Sequence, residues 1–343
     1  MTSLRTAEPV PCGHPDKFRD QISDTLLSMY LHGDPTSRCA IEAVAKNSKV
    51  FVVGEVTSNT EVDIDEAVNS LAVAIYGREV EVVQELSIQS PEIFDKVRSG
   101  GAGDQGIMTG YATTGTLLGL PEEYELATNI LRGLQDRHNG QVLASDAKSQ
   151  VTLDRYGNIT HLLVSGEQLI DSLPDFRTVI EESIMDILEE QGYNAPAVLH
   201  INPGGAWYQG GPWADSGLTG RKITADTYGP SIPHGGGAFS GKDPSKVDRS
   251  GAYMARAAAL ERAQVQVAYE IGTAEPVSLR VDGFGAGRAA EAKAERLIRD
   301  LDWTPNGIID NLGLLEVNYA PFSVWGHFSH TDAPWSQTLP LNV

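Results

Sequence analysis

The chain has 343 residues, 41% of them hydrophobic, and a formal net charge of −20. The length exceeds one ordinary core and predicts two or three domains, the hydrophobic content excludes a disordered chain, and the charge argues against nucleic acid or an anionic membrane as the main partner. No apolar run has bilayer length, Met1 to Cys12 hold no apolar core of signal-peptide length, and the two cysteines, Cys12 and Cys39, form no metal or redox spacing, so a cytoplasmic protein is expected.

The first helix is predicted from about Pro15 to Leu31. Proline suits the first helical position, and Phe18, Ile22, Leu26 and Met29 recur at helical spacing. Asp16, Asp20 and Asp24 lie on a different stripe, with Asp16 in the first turn, where the helix dipole favours anions. A hairpin follows, Ala40 to Lys46 and Lys49 to Thr57, turning at Asn47-Ser48. Asp65 to Tyr76 reads as a helix, and Gln89 to Gly103 as a loop. Further helices fit Glu122 to Arg137 and Phe176 to Glu190, around a hairpin of Ser149 to Leu153 and Asn158 to Val164. Val198 to Asn202 reads as a short buried strand, and Arg221 to Tyr228 as another. Asp243-Pro244-Ser245 starts a helix that runs to about Ala263. Gln264 to Ile271 and Pro276 to Asp282 read as paired strands, Ala289 to Leu301 and Thr304 to Leu315 as helices, and the residues from about Thr331 as frayed or lightly docked. Strand pairs and helices recur in three stretches, which predicts an α+β protein whose sheets are covered on one side by helices. No repeat is visible residue by residue.

Several segments carry chemistry. Between Asp215 and Arg256, six basic residues stand against four acidic ones in a strongly acidic chain, as a polyphosphate-binding segment requires; a solvated mixed-charge face is the competing reading. Gly101-Ala102-Gly103-Asp104-Gln105-Gly106 has the three spaced glycines of a dinucleotide turn. The preceding Lys96-Val97-Arg98-Ser99 is polar, so the Rossmann reading is rejected for a tight turn. Gly236 to Lys242 has phosphate-loop spacing, but Asp243 replaces the Ser or Thr that would hold magnesium. Its glycines, Lys242 and the adjacent helix start still compose an anion site. In Gly13-His14-Pro15-Asp16-Lys17, His14 alone reads as a helix cap or surface residue; with Asp16 and Lys17 it suits phosphate and metal. Trp207, after a glycine turn, suits stacking on a purine or burial in the core. Glu55 lies on a valine-rich strand, where burial would demand a partner.

Taken together, Gly13 to Lys17 with Asp20 to Asp24, Gly101 to Gly106, Asp146 to Val151, Gly217 to Lys222 and His234 to Ser250 resemble the S-adenosylmethionine synthetases in order and spacing, from about Glu8 to His327. The resemblance implies an α+β fold of three similar domains about a pseudo-threefold axis, here 1–98, 99–209 and 210–343. It also implies a homodimer or dimer of dimers with active sites between subunits. The implied substrates are ATP and L-methionine. His14 corresponds to the residue contacting the ribose 5′ oxygen and phosphate, and Lys148, Arg221, Lys222 and Lys242 to triphosphate contacts. Asp146 and Trp207 correspond to adenosine contacts, and Ala238 belongs to the ATP site. Glu55, Gln89, Asp104, Asp215 and Lys246 correspond to the methionine site, with Asp215 shared by ATP. A pair of magnesium ions per site is implied at Asp16 and Asp248, and potassium at Glu42.

That inventory suits alkyl transfer. Methionine sulfur carries no proton and needs no base, whereas the departing triphosphate gathers charge that waiting cations must meet. The chain departs from the family pattern at Pro11-Cys12, Ala206, Trp207 and Val164 to Gln168, in a shortened loop between Gln89 and Gly101, and in a short C-terminal tail. These departures imply an altered substrate tolerance, with acceptance of methionine analogues as an alternative reading. The rival readings are a nucleotide-binding regulatory or inactive relative, and a triphosphatase or kinase using the same cradle.

Overall fold

A computed structural model describes residues 4–89, 100–138, 140–259 and 263–337. The expected loop between Gln89 and Gly103 falls mostly outside the described residues. The chain runs through one pattern three times. The first stretch is β1 (Arg5–Ala7), α1 (Pro15–Gly33), the hairpin β2 (Arg38–Lys46) and β3 (Lys49–Thr57), α2 (Ile64–Tyr76) and β4 (Glu81–Ser87). The second is β5 (Gly106–Ala112), α3 (Glu122–His138), the hairpin β6 (Lys148–Leu153) and β7 (Ile159–Ser165), α4 (Leu173–Glu190) and β8 (Val198–Ile201). The third is β9 (Gly217–Leu218), α5 (Val247–Ala258), the hairpin β10 (Ala263–Tyr269) and β11 (Ser278–Asp282), and α6 (Arg288–Arg299), followed by α7 (Pro305–Leu312).

Each stretch opens with a strand that leaves for another stretch's sheet. β9 pairs with β2, β1 with β6 and β5 with β10, all antiparallel. The sheets are therefore β4-β3-β2-β9, β1-β6-β7-β8 and β11-β10-β5. In the first two, the last strand runs parallel to its neighbour after a helical crossover. The exchange closes in a cycle, as three similar domains about a pseudo-threefold axis require. The expected α+β fold of three domains is the one observed, and its symmetry lies in connectivity.

Packing follows the sheet alternation. Cys39, Ile41, Ala43 and Ala45 of β2 and Val50 and Val52 of β3 point inward against Phe18, Ile22 and Leu26 of α1. The first and third stretches share this core, whereas the second has its own, built from Leu126, Ile130, Val151, Leu162, Ile180 and Ile184. Among the described residues no helix is long and apolar enough to cross a membrane.

Charge is buried where α1 meets the third stretch. Asp16, Asp20 and Asp24 recur every fourth residue, so they share one face, and each accepts a backbone N–H across the junction: Leu218 at 2.9 Å, Gly220 at 2.8 Å and Gly241 at 2.9 Å. Lys17 bridges Asp20, at 3.0 Å, and Asp226. Arg249 pairs with Asp24 and donates from Nε to Phe239 O at 2.9 Å. Burial disfavours both cations, but the facing carboxylates outweigh it and raise both pKa values.

Three expectations give way. The strand expected from Arg221 to Tyr228 is a helical turn, Ile223–Asp226, because Lys222 must reach Asp16 while Asp226 reaches Lys17. That turn brings the two residues, four apart, to one side. The helix expected at Asp243 begins at Val247. Asp243 is instead bound to β2, its carboxylate accepting Cys39 N at 2.8 Å and its N–H donating to Cys39 O at 3.0 Å. The tail is docked as far as described: Trp335 is fully buried, stacks on Tyr253 at 3.6 Å and donates to His327 O at 2.7 Å.

Two outcomes are expected. Asp24→Ala strands the Arg249 guanidinium and lowers unfolding free energy by about 3–5 kcal/mol in a urea titration. His327 is wholly buried against Tyr253 Oη at 2.8 Å, and burial, then Arg249, hold its pKa well below the ordinary 6.5. The unfolded chain takes up a proton there that the folded chain refuses, so stability falls as pH drops below that value. His327→Gln should reduce this slope by about one proton between pH ~6.5 and ~5.

Candidate active site

The sequence-predicted residues fall into two sets. The first gathers at the start of α1. His14 caps the helix: Asp16 N donates to its Nδ1 at 3.1 Å, so the neutral ring carries its proton on Nε2. Burial first, then the Lys148 and Lys222 ammoniums, push its pKa down to about 3. The cap reading of His14 and the phosphate reading are thus compatible, because capping uses one nitrogen and leaves the other as a donor. Asp16 is 2% exposed and holds Lys222, with Arg221 Nε at 3.8 Å. Burial would raise its pKa, but the bonds from Lys222 and Leu218 N outweigh it and hold the carboxyl below its ordinary value.

Four more predicted nucleotide residues, Lys148, Asp146, Asp215 and Trp207, are grouped with this pair. Lys148, at the start of β6, makes no hydrogen bond or ion pair through its ammonium among the described residues. Asp146 is buried; its Oδ2 accepts Gly211 N at 2.8 Å and its Oδ1 has no hydrogen-bond partner among the described residues. Burial raises its pKa. Asp215 is exposed and accepts Ser216 N at 2.8 Å. Trp207 is neither core nor stacked on a neighbouring ring: it is 39% exposed and donates to Gln209 O. The departure at Val164 to Gln168 is tied in, since Gly166 and the Asn202 amide exchange two 3.0 Å bonds and Glu167 accepts Gly210 N at 2.9 Å.

The second set lies along the β2–β3 hairpin, the glycine-rich loop that reaches β2 through Lys242, and the start of α5. Lys242 bridges to Ala40 in the backbone, and its ammonium sits 2.5 Å from Asp248 Oδ2. Gly241 has φ +82°, and a Cβ there would stand 1.9 Å from Ile41 O. At Gly237 the neighbour is a side chain, with the Cβ position 2.2 Å from Asp248 Oδ1. These glycines let the backbone press against the sheet and the carboxylate. Lys246 pairs with buried Asp243. Ala238 rests against Gly220, beside Arg221. Asp104 is exposed, two residues before Gly106, whose Cβ position is 3.4 Å from Asp248 Oδ1.

Glu42 and Glu55 share the outer face of the β2–β3 hairpin, where Ala40 pairs with Glu55 and Glu42 with Val53. Both are exposed, so Glu55 needs no buried partner. Gln89 is 8% exposed, and its Oε1 has no hydrogen-bond partner among the described residues. Among the described residues no hydrogen bond or ion pair joins a side chain of the first set to one of the second.

His14, Lys148, Arg221 and Lys222 offer donors and positive charge around a single carboxylate, which suits a polyanion. No three His, Cys, Asp or Glu side chains converge as a metal cage among the described residues. Asp16 and Asp248 are lone carboxylates with lysines beside them, a donor set that fits a hard cation arriving with phosphate oxygens of its own. The reading of residue types missed Asp20, Asp226 and Arg249, which hold the loops of both sets. The signal was present in the four-residue spacing of the aspartates on a helix otherwise rich in apolar residues.

Three family profiles match the chain: S-adenosylmethionine synthetase N-terminal domain over residues 2–99, central domain over 99–207 and C-terminal domain over 209–337. The chain is 42% identical to an S-adenosylmethionine synthase of Methylobacterium sp. (strain 4-46), over 95% of this chain and 92% of that one. It is 40% identical to one of Hyphomonas neptunium, over 94% and 91%, and 39% identical to one of Nitratiruptor sp., over 98% and 95%.

Because the Trp207 ring is 39% exposed, Trp207→Ala should cost less in chemical denaturation than the about 3–5 kcal/mol of a fully buried tryptophan; a loss of that size would place it in the core.

Proposed function

The chain belongs to the S-adenosylmethionine synthetase family, and on that premise we propose how its residues make S-adenosylmethionine from ATP and L-methionine. The observation that carries the proposal is the neutral His14 set among Lys148, Arg221 and Lys222. Methionine sulfur attacks C5′ of ATP, a carbon–sulfur bond forms, and the C5′–oxygen bond breaks with its electrons left on triphosphate. His14 donates from Nε2 to the 5′ oxygen as charge develops there. Lys148, Arg221, Lys222 and Lys242 receive the remaining charge. Water then cleaves the triphosphate to phosphate and pyrophosphate, a phosphoryl transfer served by the same cations.

The free Oδ1 of Asp146 accepts a ribose hydroxyl, Trp207 stacks on adenine, and Asp215 and Ala238 complete the nucleotide site. Glu55, Gln89, Asp104, Asp215 and Lys246 hold the methionine head group, carboxylates toward its ammonium and lysine toward its carboxylate. Asp16 and Asp248 hold a pair of magnesium ions, and Glu42 holds potassium. Bound magnesium supplies charge neutralisation of the phosphates.

The division into two sets supports a homodimer, or a dimer of dimers, in which each site takes one set from each copy. The outer face of the first sheet suits that role: Val44, Phe51 and Val83 are 38%, 42% and 40% exposed beside Glu42 and Glu55. The domains are 1–98, 99–209 and 210–343, and the enzyme works in the cytoplasm.

The test is a mass-spectrometric assay with ATP, methionine, magnesium and potassium. The sulfonium product, phosphate and pyrophosphate are expected. Consumption of ATP without methionine would favour a triphosphatase, and binding without turnover a regulatory relative. Lys148→Ala should lower kcat/KM for ATP by about 10²-fold, the scale of one lost transition-state donor; an unchanged value would remove Lys148 from the site.

A further inference from the structure

Both carboxylates proposed to hold metal are paired, in this chain, with a lysine proposed to hold triphosphate. Asp16 holds Lys222, and Asp248 holds Lys242 at 2.5 Å. The two pairs come from different elements: α1 with the 217–226 segment, and the glycine-rich loop with α5. The third lysine pair, Lys246 with Asp243, is of another kind, because Asp243 is also bound to Cys39 N and Ser245 N and serves the fold.

We infer that the site is filled by its own ion pairs, so that divalent cation and triphosphate bind as a coupled pair through an exchange of partners. This rests on the proposed function, whose metal and phosphate assignments it uses. The argument is electrostatic. A triphosphate arriving alone must draw Lys222 and Lys242 away from their carboxylates. Asp16 is 2% exposed and the Asp248 side chain 15%, so each would be left desolvated with its countercharge removed. A cation arriving alone takes the carboxylates and strands the lysines, Lys222 among them beside Lys148 and Arg221 with no anion present. Joint arrival leaves every charge paired: the carboxylates face the cation and the lysines face phosphate oxygens. Among the described residues the Lys148 ammonium is bound to no carboxylate, so this proposed triphosphate lysine needs no release. By linkage, the factor by which the cation tightens triphosphate binding equals the factor by which triphosphate tightens cation binding.

The test is calorimetric binding of inorganic tripolyphosphate to the full-length protein, with and without magnesium. Magnesium should tighten wild-type binding by at least about fivefold, the lower end of ordinary coupling. Asp248→Asn frees Lys242, so metal-free tripolyphosphate should bind this variant at least about fivefold more tightly than wild type, with a matching fall in the magnesium effect. An equal or weaker metal-free affinity overturns the exchange. Lys242→Met gives the reciprocal measurement: with Asp248 freed, magnesium alone should bind more tightly than to wild type, and an unchanged affinity again overturns it. Thermal midpoints of both variants establish that they are folded. Product formation by wild type, measured separately, reports on the proposed function. Wild type that forms no product and binds no tripolyphosphate even with magnesium overturns both.

Discussion

Three aspartates on one face of the first helix hold the third stretch of chain in place. Asp16, Asp20 and Asp24 accept Leu218, Gly220 and Gly241 N–H groups in turn. Buried carboxylates demand donors, and backbone N–H groups exposed by irregular loops demand acceptors, so each side satisfies a cost the other imposes. Apolar packing would tolerate sliding, whereas three directional bonds along a helix fix one register. That register sets where the loop of Arg221 and Lys222, and that of Lys242, come to rest. Lys17 and Arg249 neutralise the stripe from within, and both sets of site residues inherit their positions from it.

The cyclic exchange of strands acts alongside this junction. β1, β5 and β9 each complete a sheet that belongs to another stretch, so no stretch has a complete sheet by itself. The edges that the exchanged strands cover would otherwise present unpaired N–H and C=O groups. The first and third stretches are further joined by a common core, whereas the second keeps its own and is tied in through β1 and β5.

A chain of net charge −20 that binds a polyphosphate faces a conflict between its overall field and its local task. The structure resolves it by concentration: Lys148, Arg221 and Lys222 converge on one buried carboxylate and one neutral imidazole. Keeping His14 neutral follows first from its burial and then from the same crowding of cations, and its capping bond selects the tautomer that can donate. The lysines proposed for phosphate and the carboxylates proposed for metal are therefore interleaved as ion pairs.

The sequence by itself determined the α+β class, the three strand pairs and most of the long helices, and it supplied the proposal for the site residues. These are carried by local pattern: period-two and helical alternation, turn residues, and runs such as Gly13 to Lys17 and His234 to Ser250. It read Arg221 to Tyr228 as a strand and Asp243 as a helix start because the demands that bend them, Lys17 and Asp16 for the one and Cys39 for the other, lie about 200 residues away. The short strands β1 and β9 escaped notice because a strand of two or three residues is defined by its neighbour and has no pattern of its own. Only the tertiary structure divided the predicted residues into two sets, exposed Glu55 and Trp207, and paired each proposed metal carboxylate with a lysine. Residue type fixes what a group can do chemically, while its partners are chosen by long-range contacts that no local window contains.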